Sequence, residues 1–192
     1  YQQGGAEIRL TLADKWILER YRSTALDVTR FLEKYELGEA ARTLYDFIWN
    51  EFCDWYIELA KLRLYKEGGA EKHTAQYVLT HVLGGIMELL HPFMPFITEE
   101  IWQHLPHRNA LTVMRTPWPD GEKMDSFPEE AEEMSLLMEV IRSVRNIRAE
   151  MNVPLGKKIN IIALAGDKSR DILSKGKSYI SGLCQAEKLE LL

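Results

Sequence analysis

Over most of this chain apolar residues recur at alternating steps of three and four, the period of one helix face. Ile17, Tyr21, Thr24, Val28, Phe31 and Tyr35 make a narrow seam, and Thr11-Leu12-Ala13-Asp14 ahead of it has the spacing of a capping box. A helix of about five turns is therefore expected there, ending at Leu37-Gly38. A longer helix is predicted over 39–66 on the stripe Ala41, Leu44, Ile48, Phe52, Trp55, Leu59 and Leu62. Tyr45, Phe47, Trp49 and Tyr56 widen that face, which implies burial on more than one side. Glu67-Gly68-Gly69 ends it, and a third helix over 71–91 carries Ala75, Val78, Val82, Ile86 and Leu89. Gly84-Gly85 in its middle costs roughly 1 kcal/mol per residue against alanine. Close approach of a neighbour offsets that cost, with Trp49 or Trp55 as candidates to fill the room.

The run LLHPFMPFITEEIW over 89–102 reads as helix, tight corner, helix, with aromatics wedged in the corner. Proline cannot continue a helix interior, yet it suits a helix's first position. A short helix over 95–104 follows. Residues 106–128 are the least regular, with a short strand expected at Leu111-Thr112-Val113-Met114 and turns over Thr116-Pro117-Trp118-Pro119-Asp120-Gly121. A fifth helix starts near Pro128, with Ser126 as its cap, on the stripe Met134, Leu137, Met138, Ile141, Val144, Ile147 and Met151. Pro154 and Gly156 end it. The period then changes: 158–165, KINIIALA, reads as a buried strand, 167–183 as a helix weakened by Gly176, and 187–192 as a second strand. The fold class is thus mainly α, a helical bundle with a small C-terminal α/β (β-α-β) appendage. If its strands are parallel, the crossover is right-handed. The expected organisation is a linker over 1–10, the bundle over 11–105, an irregular connection over 106–127, and a long basic helix with the α/β subdomain over 128–192.

Composition narrows the classes. The chain has 192 residues, 46% hydrophobic and 28% charged, enough for one core or a bundle plus an appendage. No apolar run approaches the roughly 18 residues of a membrane span, and the start, Tyr1-Gln2-Gln3-Gly4-Gly5, is no signal peptide. A chain that starts without Met and ends on Leu191-Leu192, inside an expected strand, reads as an excised fragment. Two distant cysteines, Cys53 and Cys184, suit a reduced, cytoplasmic protein better than a disulfide framework. The net charge of −5 argues against strong nucleic-acid binding by the whole surface. The average hides segregation, however. Residues 120–139 are densely acidic, whereas 142–158 hold Arg142, Arg145, Arg148, Lys157 and Lys158 against Glu150 alone. A local patch is what steers a charged partner.

No catalytic constellation stands out. His104 and His107 have no Cys or acid to complete a zinc set, and Gly84-Gly85 lies in a helix rather than a phosphate loop. Glu99-Glu100 do not face each other on a helix and read as first-turn complements to its dipole. Arg142, Arg145 and Arg148, spaced by three, are expected along one ridge beside the apolar stripe, with Asn146 and Asn152 nearby and Lys157-Lys158 extending it. Guanidinium planes suit phosphate oxygens and stack on bases. The plainer reading is a solvated helix face paired with nearby acids. Trp55, Tyr56 and Tyr65 are the aromatics considered for base stacking. Trp55 belongs to the core stripe, Tyr65 sits at a helix end, and every tryptophan except Trp118 is expected in the core.

Four runs carry a resemblance: ADKWILERY over 13–21, LYDFIWNEFCDWYIELAK over 44–61, LLHPFMPFITEEIW over 89–102 and IRSVRNIRAEMNVPLGKKI over 141–159. Together they resemble the bacterial valyl-tRNA synthetases from Leu12 onward. The proline corner is shared with the class I synthetases for isoleucine, leucine and methionine, while FCDWYIELAK and VRNIRAEMN look like the valine enzymes. The resemblance implies the anticodon-binding helical bundle of an enzyme that joins valine to tRNA(Val) using ATP. HIGH-type and KMSKS-type motifs are absent, Lys123-Met124-Asp125-Ser126 being only a faint likeness, and so are the editing domain, the coiled-coil arm and a preceding helix with much of the base-reading surface. The resemblance therefore implies a non-catalytic segment without a cofactor of its own, ATP being used by the full-length enzyme. Its partners would be tRNA(Val) and the catalytic domain of the same polypeptide, with no metal and no membrane. Arg142, Arg145, Arg148, Lys157 and Lys158 are the candidate phosphate contacts, Asn146 is a further candidate tRNA-binding residue beside them, and Tyr65 a stacking one. The alternatives are the same region of an isoleucyl-tRNA synthetase, or a helical protein-interaction module without an RNA role.

Overall fold

In a computed structural model, residues 2–3, 6–65, 68–106, 110–154 and 156–192 are described, and the side chains of residues 2, 3, 6 and 7 are not. Tyr1, Gly4 and Gly5 of the expected linker, Lys66 and Glu67 at the expected end of the second helix, and His107 lie outside the described residues. The chain divides into two compact units, Tyr1–Pro128 and Glu129–Leu192.

Among the described residues, the regular elements of the first unit are helical apart from an antiparallel pair of two-residue strands, β1 (Gln2–Gln3) and β2 (Ala6–Glu7), within the stretch expected as linker. Helix α1 (Leu12–Glu33) starts at the capping box: the Thr11 hydroxyl accepts from the Asp14 amide, and the Asp14 carboxylate accepts from the Thr11 amide at 2.8 Å. Its seam is buried at Ile17, Tyr21, Thr24 and Val28, while Tyr35 lies beyond the helix end and is exposed.

The second predicted helix is an uninterrupted run of three parts: α2 (Leu37–Asp46), a π-helical segment (Phe47–Ile57) and α3 (Glu58–Leu64). Wider π turns move the buried face relative to a 3.6-residue stripe. Phe47, Tyr56 and Ala60 are therefore buried alongside the stripe residues Leu44, Phe52, Trp55 and Leu59. Ala41 and Trp49 are exposed, and Ile48 and Leu62 only half-buried, against the expected stripe. Helix α4 (Ala70–Leu90) buries every residue of its predicted stripe. Its paired glycines admit Tyr21 and Trp102 rather than Trp49 or Trp55: a Cβ on Gly85 would lie 2.1 Å from the Tyr21 hydroxyl, and one on Gly84 3.7 Å from the Trp102 ring.

The double-proline corner leads into α5 (Pro95–His104), with Pro95 at its first position. The His91 Nδ1 and Thr98 hydroxyl, 2.7 Å apart, close it. Phe93 is half-buried, but Phe96 stands out at 89% exposure, so only one of the two aromatics is wedged in. Residues 111–114 form no strand; Val113–Arg115 is a 3₁₀ turn, and a second one covers Gly121–Lys123. Glu99 lies beyond the first turn of α5 and does more than face the dipole. It accepts from the Thr112 hydroxyl at 2.7 Å and the Val113 amide at 3.1 Å, tethering that turn. Further on, Trp118 donates to Thr29 at 2.8 Å, Gly121 lies against Arg22 and Leu26, and the Phe127 amide donates to Glu19 at 2.6 Å. Residues 118–127 thus strap onto α1.

Beneath these layers lies a buried polar knot. Asp14, fully buried, accepts two hydrogen bonds from the Arg63 guanidinium, at 2.6 and 2.7 Å, and one from the Tyr56 hydroxyl at 2.6 Å. Burial by itself would raise the Asp14 carboxyl, but Arg63, Tyr56 and the Thr11 amide outweigh it and hold the group below its ordinary value.

In the second unit, α6 (Pro128–Glu150) leads to β3 (Ile159–Ala163), then α7 (Asp167–Lys175), α8 (Lys177–Cys184) and β4 (Ala186–Leu191). The strands pair in parallel, Ile161 opposite Leu189, both buried. The predicted single crossover helix breaks in two at Gly176, where a Cβ would meet the Leu137 methyls at 2.3–2.4 Å. Among the described residues both cysteines are free thiols, and no helix is long and apolar enough to cross a membrane.

Candidate nucleic-acid interface

The candidate surface lies in the second unit, on the C-terminal half of α6 and the loop that follows. Charge is segregated along this helix: Glu129, Glu130, Glu132, Glu133 and Glu139 come first, and Arg142, Arg145 and Arg148 after them. Cations near a helix C-terminus suit its dipole, so the basic end forms without strain.

Arg142, Arg145 and Asn146 are exposed on α6, and Lys157 and Lys158 are exposed in the loop before β3. The Arg145 Nε donates to the Leu183 carbonyl at 3.4 Å along the rim. Arg148 departs from the expected ridge. It is 7% exposed, and among the described residues its guanidinium donates to three backbone carbonyls: Cys184 at 3.0 Å, Pro154 at 2.8 Å and Lys157 at 3.0 Å. The cause is helical phase. A step of three residues falls about 60° short of a turn, so Arg142 and Arg148 point about 120° apart. Seven residues fall only about 20° short of two turns, which puts Arg148 in line with the buried Ile141. For the same reason the predicted apolar stripe stops early, with Ile147 56% and Met151 73% exposed. A groove of about 460 Å³ opens here between Arg145, Arg148, Val153 and the end of α8 at Leu183, Cys184 and Gln185. Burial pushes the Cys184 thiol above its ordinary value, with Arg145 and Arg148 pulling the other way, so it stays a neutral thiol.

The start of the loop, at the end of α6, is regular in its own terms. Asn152 has φ 51°, the Val153 amide donates to the Arg148 carbonyl at 2.9 Å, and the Asn152 amide to the Ala149 carbonyl at 3.1 Å. These two bonds make a Schellman motif with asparagine in the left-handed position and proline just after it. Asn152 is thus a backbone device that the sequence reading placed only as a neighbour of the arginines.

Of the aromatics considered for stacking, Trp55 and Tyr56 are buried. Tyr65, in the first unit, is 83% exposed at the end of α3. Sequence reasoning missed two further exposed rings there: Trp49, at 53%, and Tyr45, at 61%, lie one helical turn apart with centroids separated by 6.3 Å. Among the described residues, no group of His, Cys, Asp and Glu could hold a metal ion.

A family model for the anticodon-binding domain of tRNA ligase matches residues 14–163. The chain is 51% identical over 191 residues to the valine–tRNA ligase of Bacillus thuringiensis subsp. konkukian, covering 96% of this chain and 22% of that protein. It is 52% identical over 187 residues to the valine–tRNA ligase of Carboxydothermus hydrogenoformans, covering 96% and 21%, and 50% identical over 181 residues to that of Geobacillus stearothermophilus, covering 93% and 20%. The chain thus spans about a fifth of the length of these curated relatives. With the family match running from the Asp14 capping box through the last residue of β3, the chain belongs to the anticodon-binding domains of tRNA ligases.

Proposed function

We propose that this chain is the tRNA-binding region of a valine–tRNA ligase and that it holds tRNA(Val) while the aminoacylation chemistry proceeds elsewhere in that ligase. The observation that carries this reading is the exposed cationic group of Arg142, Arg145, Lys157 and Lys158, in a chain whose family binds anticodons. Valine, rather than isoleucine, is supported by the relatives at about half identity, all valine–tRNA ligases. The ligase would consume ATP in its catalytic part and work in the cytoplasm. On this segment the task is electrostatic. Lysine and arginine displace counterions from phosphates and orient the stem, and Asn146 adds a neutral donor beside them. Arg148 acts from inside, through the backbone. Tyr65 offers a flat ring to an unpaired base.

The test is the R142A/R145A variant of the whole ligase. KM for tRNA should rise and its salt dependence flatten, while valine-dependent pyrophosphate exchange without tRNA persists. Unchanged tRNA binding across salt concentrations would remove these arginines from the interface.

A further inference from the structure

We propose that Arg148 is a positioning residue for the cationic face, fastening the loop between α6 and β3 so that Lys157 and Lys158 leave the protein from a fixed backbone. This rests on the reading of residues 142–158 as an RNA-binding surface.

The geometry is specific to a guanidinium. One nitrogen, Nη2, donates to the carbonyls of both Pro154 and Lys157, the two ends of a turn that the Lys157 amide closes onto the Pro154 carbonyl at 3.0 Å. The other, Nη1, reaches the Cys184 carbonyl at the end of α8. A single planar fork therefore joins α6, the lysine-bearing turn and the strand-entry corner at Gln185, where the Ile159 amide donates to the Gln185 carbonyl at 3.2 Å. The Schellman motif sets the loop's entry and Arg148 holds its exit. With both ends held, the two lysines pay less ordering entropy when they meet phosphates. Arg148 is itself too buried to lie on the phosphate-facing surface.

The experiment measures tRNA(Val) affinity of the whole ligase against salt, in two backgrounds: native, and K157A/K158A. Two changes loosen the loop by different routes. R148K keeps the charge but cannot span three carbonyls, and N152V puts a branched residue at a left-handed position, with N152G as the permissive control. Removing the lysine pair should weaken binding about tenfold or more near 0.1 M salt, from roughly 0.7–0.9 counterions released per phosphate contact. R148K and N152V should each weaken binding by about threefold to fivefold in the native background and change it little without the lysines, since residues acting as a unit are non-additive. N152G should bind as the native protein does, and amide exchange at 156–158 should quicken in R148K and N152V. Equal losses in both backgrounds would overturn the proposal, as would unchanged exchange at the turn or equal effects of N152V and N152G. Failure of the underlying reading shows separately, as a lysine pair whose removal leaves affinity and salt slope unchanged.

Discussion

Replacing Arg63 by methionine tests what anchors the bundle's first helix. The change keeps a long apolar stem but removes both hydrogen bonds to the fully buried Asp14 carboxylate. An unpaired buried charge costs about 3–5 kcal/mol. The Tyr56 hydroxyl still donates to Asp14 at 2.6 Å, so the lower end, about 3 kcal/mol at pH 7, is expected, or roughly 10 °C in Tm for a unit of this size. The pH dependence has a definite sign. In the native protein the Asp14 carboxyl is held below its ordinary 3.8, so its pair stabilises above about that pH and is lost as pH falls through the depressed value. In R63M burial is opposed only by weaker partners, the carboxyl rises above 3.8, and protonation relieves the penalty. The deficit against native protein should therefore shrink to about 1 kcal/mol near pH 4. Tryptophan fluorescence during urea unfolding reads this unit alone, because Trp16, Trp49, Trp55, Trp102 and Trp118 all precede residue 129. A loss below about 1 kcal/mol at pH 7, or an equal loss at both pH values, would refute the reasoning.

Burial pushes the Glu88 carboxyl up to about 7, with the Thr116 hydroxyl opposing the rise. Because it is raised when folded, it destabilises progressively as pH climbs from about 4.5 through 7. E88Q should therefore gain roughly 1–2 kcal/mol at pH 8, after discounting for partial exposure, and little at pH 5 in urea melts. G85A should cost about 1–3 kcal/mol despite alanine's better helix propensity, because the new methyl falls on the Tyr21 ring; thermal melts check this. Y65A should weaken tRNA(Val) binding about fivefold or more with an unchanged salt slope, since stacking displaces no counterion; filter binding at several salt concentrations reads both.

Elements governed by one regular period were legible from the residues. The α4 stripe and the Thr11–Asp14 capping box are seen where spacing placed them. What stayed hidden depends on geometry that spacing does not encode. A π-helical segment shifts part of the inward face off the 3.6-residue stripe, so Trp49, expected on that face, emerges and Ile48 is only half-buried. Residues 111–114 have strand-like side chains but no partner strand among the described residues; the Glu99 carboxylate ties them into a turn instead. In the candidate interface the charge segregation was visible, and Arg142, Arg145, Asn146, Lys157 and Lys158 lie on the surface. Arg148 was not separable from its neighbours by composition. Only its phase with Ile141 distinguishes it, and a rule of three residues per step obscured that phase.

The most direct test is the slope of log affinity for tRNA(Val) against log salt, comparing the native ligase with R142A/R145A/K157A/K158A. If these four side chains meet phosphates, the slope should flatten by about 3, at roughly 0.7–0.9 per lost contact. An unaltered slope would mean that this face does not touch the RNA.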